Sequence, residues 1–121
     1  MILCLQDLDP GNSSGGKIWL NIGEDVSFPE SGWYDLPGVL LEYWIPALNS
    51  FADGHTDFCK LGFLDGPYGV WLERDGEIVR VSCMERGREV LRQQIDFPLF
   101  MESVERRMRY YERVKYMGLD E

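Results

Sequence analysis

His55, Asp57 and Cys59 alternate within GHTDFCK, residues 54–60. Imidazole, carboxylate and thiolate all ligate zinc, and an extended strand would place three alternating residues on one face. The spacing matches no standard zinc pattern, and mixed ligands from one strand rarely close a tetrahedral site. The bland reading makes Cys59 a small buried hydrophobe and leaves His55 and Asp57 as polar residues near a loop. Nucleophilic catalysis needs a base beside the nucleophile. His55 is the single histidine, so any Cys-His or Ser-His pair must use it. Along a strand, Cys59 would stand about 13 Å from His55, too far for a hydrogen bond. A small metal- or thiol-dependent enzyme using His55 and Cys59 is therefore the alternative reading. A protein without catalytic residues, metal or cofactor is the main one.

A second stretch invites a chemical reading. Residues 9–16, DPGNSSGG, have the glycine and serine content of a phosphate cradle. A phosphate loop needs a Lys-Ser/Thr pair and a helix opening directly after it. Here Lys17 leads into Ile18-Trp19-Leu20-Asn21-Ile22, which reads as a strand.

Binding residues are easier to nominate. Of the 21 acids and 12 bases, residues 1–77 hold 13 acids and three bases, Lys17, Lys60 and Arg74. Such acidity opposes contact with a phosphate backbone, so no nucleic-acid partner is expected, whereas a basic protein would be steered inward. Acidity also keeps any soluble domain dispersed. Tyr34 and Tyr68 sit in turn-rich stretches beside carboxylates, a composition common at recognition surfaces. The candidate partner-binding set is Tyr34, Asp35, Glu42, Asp53, Asp57, Asp65 and Tyr68.

The elements that must hold these residues follow from pattern. The length of 121 residues suits one domain, 1–121. Residues 1–8 and 17–22 alternate as short strands, and 23–32 are turn-rich. Residues 35–51 form a first helix, with Asp35 as cap, Pro37 in the first turn and Pro46 predicting a kink or break. Asp-Gly recurs at 53, 65 and 75 and is followed by Arg86-Gly87, a spacing near ten residues that hairpins produce. Strands at 58–64, 69–73 and 77–84 form a meander, and 88–95 is read as a fourth strand over a competing helical pattern. Residues 96–118 form a second helix, with Glu102–Arg106 and Glu105–Arg109 at i,i+4 and Gly118 at its stop. The expected fold is α+β: a two-layer sandwich of an antiparallel meander sheet of four to five strands against two helices. The wide apolar face of the first helix raises a homodimer seam as a further possibility.

Cys4, Cys59 and Cys83 are odd in number and contain no CxxC pair, which fits reduced thiols in a cytoplasmic protein. No apolar run approaches a membrane span, and MILCLQDLDP lacks the basic flank of a secretory signal.

Three fragments taken together resemble a known grouping: Trp33-Tyr34-Asp35-Leu36-Pro37 leading to Trp44, Phe63-Leu64-Asp65-Gly66-Pro67-Tyr68, and Ile95-Asp96-Phe97 leading to Phe100. They are similar to small bacterial immunity-type proteins, which accompany polymorphic or contact-dependent toxins and neutralise them by direct binding. The resemblance covers roughly residues 30–105 and carries no site residue across. It implies a cytoplasmic protein that blocks a toxin, often a nuclease with a basic active-site surface.

Overall fold

A computed structural model describes residues 1–8 and 15–117. The glycine- and serine-rich loop and the Gly118 stop therefore fall, wholly or mostly, outside the described residues. The architecture is α+β, as expected: two helices and antiparallel strands, the latter shared between two open sheets of four strands each. Contacts along the chain define two compact units, residues 1–39 with 97–121, and residues 40–96.

In the first unit β1 (Ile2–Gln6), β3 (Val26–Phe28) and β4 (Tyr34–Asp35) all pair antiparallel with β2 (Gly16–Gly23). β1 takes one side of β2, while β3 and β4 share the other, which is why β2 cannot extend the downstream meander. The predicted face of Ile18, Leu20 and Ile22 is buried with Leu3 and Leu5 of β1. Trp19, on the opposite face, is buried as well. β3 arises inside the stretch read as turns and β4 just after it, taking in the residue read as the helix cap; two or three residues are too few to show a period. α2 (Phe97–Met117) lies along β1 and buries Phe100, Val104, Tyr111 and Val114. Of the expected helix pairs, Arg106 and Glu102 close at 3.1 Å.

The second unit contains α1 (Pro37–Ala52) from Leu40 onward, and a sheet in the order β5 (Phe58–Gly62), β6 (Tyr68–Asp75), β7 (Ile78–Glu85), β8 (Arg88–Ile95). This is the predicted meander, including the strand reading of 88–95. The turns explain it. Gly76 at φ 63° opens a two-residue hairpin, and Arg86 and Gly87 at φ 54° and 77° form another. Both place positive φ where the twist of a tight hairpin requires it. α1 runs through Pro46 unbroken, with that proline on the exposed side. The N-cap expectation needs one correction. Asp35 accepts from Leu36 N–H at 2.8 Å, one residue before the helix begins at Pro37.

Trp44, Leu48 and Phe51 of α1 are buried, as are Leu61, Val70, Leu72, Val79, Val81 and Cys83 of the sheet. The Trp44 indole N–H donates to the Gly62 carbonyl at 2.9 Å, and its ring meets Phe63 edge-on at 5.2 Å. Leu40 and Leu41 are also buried, so the wide apolar face of α1 is used within the chain. Among the described residues no helix is long and apolar enough to cross a membrane.

Candidate functional site

The antiparallel meander has two ends, and its connections carry charged residues to both. At one end lie the α1–β5 segment, the β6–β7 turn and the last residue before α2. They bring Asp53, Asp57, Asp75, Glu77 and Asp96 to one end of the second unit, all exposed. The bases that belong there are Arg74 and Arg80. Arg80 pairs with Asp75 at 3.1 Å and Arg74 with Asp57 at 3.3 Å, both partly exposed contacts of modest worth.

Arg74 does more than neutralise. Its guanidinium donates to the Phe51 carbonyl at 2.7 Å and to the Thr56 carbonyl at 3.1 Å, and it stacks 4.1 Å from the centre of the Phe51 ring. The last turn of α1 leaves carbonyls without helical donors, and a fork-shaped cation on the neighbouring strand supplies them. Gly54 at φ 79° turns the chain out of the helix, with His55 N–H returning to the Ser50 carbonyl at 3.0 Å. The acidic α1–β5 segment is thereby tied to β6 through side chain and backbone, the latter by Arg74 N–H to the Asp57 carbonyl at 2.8 Å.

The candidate residues separate in space. Asp53 and Asp57 lie at the acidic end. Asp65 sits in the β5–β6 turn, Tyr68 is half-buried at the start of β6, and Glu42 is in the first half of α1, which the Trp44–Gly62 bond sets toward that opposite end. Tyr34 and Asp35 belong to the first unit. Tyr34 is 62% exposed, but Asp35 is 3% exposed. Asp35 is therefore no surface carboxylate. Besides Leu36, it accepts from the Trp33 indole at 3.2 Å and so fixes the entry to α1. Asp75, Glu77 and Asp96 were missing from the sequence-derived set, because only strand pairing reveals that their connections share an end with Asp53.

The charge asymmetry along the chain is also redistributed. The basic residues of α2 fold with residues 1–39, so the first unit holds 11 acids and six bases and the second ten acids and six bases. The two units are thus nearly equal in net charge, and Arg80 and Arg92, from beyond residue 77, meet Asp75 and Glu73. What persists is the run of exposed carboxylates at one end of the second unit, five against Arg74 and Arg80, while the opposite end mixes Glu42, Asp65, Glu85 and Glu89 with Arg86 and Arg88.

The alternating His55-Asp57-Cys59 facet does not form. β5 begins at Phe58, His55 is exposed in a turn, and Cys59 faces the core. Burial pushes the Cys59 thiol up to about 11 and the Cys83 thiol to about 12, away from the nucleophilic thiolate. Cys4 is also raised by burial, with Arg107 and an Asn21 hydrogen bond pulling the other way. Among the described residues no three His, Cys, Asp or Glu side chains are placed to hold a metal ion. Comparison of the chain with protein-family models, curated proteins and solved structures returns no match.

Proposed function

We propose that this chain is a non-enzymatic binding protein that docks a basic protein on the acidic end of its second unit, as an immunity-type protein neutralising a toxin by direct contact in the cytoplasm. One observation supports the reading above the rest: five exposed carboxylates, Asp53, Asp57, Asp75, Glu77 and Asp96, stand at one end of a single sheet, with a segment anchored by Arg74 among them. An end with a net negative charge raises the encounter rate with a cationic surface, and an anchored segment loses less freedom on docking. The partner fitting this end presents lysines and arginines, as a nuclease active-site surface does.

The reading is tested by capturing partners from the native host with tagged wild-type chain and with the Asp53→Asn, Asp75→Asn, Glu77→Gln triple variant. The captured protein is then purified and its association rate measured at rising ionic strength. A basic protein whose association slows with salt, and about tenfold with the triple variant, is the expected result. An acidic partner, or a rate indifferent to both, overturns the proposal.

A further inference from the structure

The alternation of the second sheet's hydrogen bonds can be followed from strand to strand. Phe63 N–H donates to the Tyr68 carbonyl at 3.0 Å and Arg74 N–H to the Asp57 carbonyl at 2.8 Å. In an antiparallel ladder every second pair is bonded, so Leu72 bonds back to Cys59 on β5 and its β7 neighbour Val81 must bond onward to Gln93 on β8. The same step assigns Val79 to Ile95 and Cys83 to Leu91. The N–H and C=O groups of Arg92 and Gln94 then point away from β7, toward the side where the sheet ends. Other long edges are closed by side chains. On β1, Leu3 N–H donates to Ser103 Oγ at 3.0 Å and Leu3 C=O accepts from Arg107 Nε at 3.2 Å. On β5, the Thr56 hydroxyl serves both Phe58 N–H and C=O, and Trp44 serves Gly62 C=O. β8 is eight residues long, and Arg88, Glu89, Val90, Arg92 and Gln94 are exposed, Val90 at 53%.

A second copy of this strand could add to it about a two-fold axis centred on any of its residues with that alternation kept, and three central registers can be compared by what Arg92 meets. Centred on Arg92, two guanidinium groups face each other, which is unfavourable. Centred on Gln93, Arg92 faces a glutamine. Centred on Gln94, the two Gln94 residues pair and Arg92 of each copy lies opposite Asp96 of the other, on the same face of the sheet. Asp96 is exposed at the end of β8. Arg92 already reaches Glu73 at 3.5 Å with half its side chain exposed, and its five donors can serve both carboxylates.

We propose that β8 is the seam of a homodimer, two copies pairing edge to edge about Gln94 with reciprocal Arg92–Asp96 contacts, so that two four-stranded sheets become one of eight. The charge arrangement selects a second copy: the strand is complementary to itself in that register. This proposal shares Asp96 with the acidic end but needs no toxin, and the Asp53, Asp75 and Glu77 variants that test the acidic end leave the seam untouched.

Sedimentation velocity of the wild-type chain from micromolar to millimolar concentration should show a monomer–dimer equilibrium. Gln94→Pro deletes an N–H that points outward and leaves the β7 ladder intact, so it should give a folded monomer. Arg92→Asp and Asp96→Arg place like charges opposite each other in the homodimer and should each be monomeric, yet an equimolar mixture of the two restores opposite charges at both contacts and should recover the dimer mass. Should Asp96→Arg fail to fold, Asp96→Asn keeps the side-chain shape and should weaken the dimer at least severalfold. A wild-type chain that is monomeric throughout, a dimer that survives Gln94→Pro, or a mixture that stays monomeric overturns the seam. Capture of a different chain by β8 in place of a second copy overturns it as well.

Discussion

Each unit lays a helix on an antiparallel sheet of four strands, yet the helices are fastened by different means. α2 grips the first sheet partly through polar atoms: buried Ser103 accepts from Leu3 N–H while donating to the Phe100 carbonyl at 2.6 Å, and Arg107 donates to Leu3 C=O. α1 meets the second sheet chiefly with apolar bulk, Trp44, Leu48 and Phe51, and its polar links to strands, the Trp44 indole to the Gly62 carbonyl and Arg74 to the Phe51 carbonyl, are part-buried rather than sealed in the core. A polar grip fixes the helix at one residue of one strand, because a buried donor left without its acceptor is costly. Apolar packing tolerates small displacement but suffers from any loss of volume.

The two modes of fastening should break differently. The largest effect is expected from Phe51→Ala, which removes a fully buried ring and Arg74's stacking surface. It should cost about 3–5 kcal/mol in urea denaturation. Ser103→Ala should cost about 1–3 kcal/mol, since Leu3 N–H loses its acceptor in a buried setting. The loss should appear as faster amide exchange at Leu3. Gly38→Ala should be of similar size, because the new methyl would fall on the Tyr111 hydroxyl. Adding Tyr111→Phe should recover part of the loss, a coupling that a double-mutant cycle measures. The smallest effect belongs to Arg106→Ala, about 0.3–0.5 kcal/mol for an exposed pair with Glu102.

The buried thiols add a dependence on pH. Cys59 and Cys83 have folded-state values raised to about 11 and about 12 from 9.0. Above pH 9 the unfolded chain releases these protons first, so their contribution is fully present below 9 and is lost as pH rises toward 12. Cys83→Ala should flatten the alkaline limb of the stability profile. In the native state at neutral pH, a thiol reagent should modify half-buried Cys4 well before the other two.

Much of the second unit was legible in the residues. Hairpin turns announce themselves locally: Gly76 and Arg86-Gly87 sit between strands whose alternation is unambiguous, and Val79, Val81 and Cys83 face inward as their period requires. The first unit was harder. β4 has two residues and exists because β2 offers Gly16 and Lys17 as partners, a fact no local pattern contains. Ser103 lies in the apolar stripe of α2, and its partner is remote in sequence. Among the candidate site residues, Asp53 and Asp57 were reachable because they are neighbours along the chain. Asp75, Glu77 and Asp96 join them through strand pairing alone, and Asp35 looked like a surface acid until its indole and amide donors were seen.

The Ser103–Leu3 bond spans 100 positions, and the whole contiguous stretch of the second unit lies between its two ends. During synthesis, β5 to β8 can zip together hairpin by hairpin as they leave the ribosome, since each pairing closes a short loop. β1, made before them, must wait for α2 before its edge is covered. A strand made ahead of the meander is thus protected only after it, and a nascent-chain crosslinking experiment should find β1 accessible to chaperones until α2 has emerged.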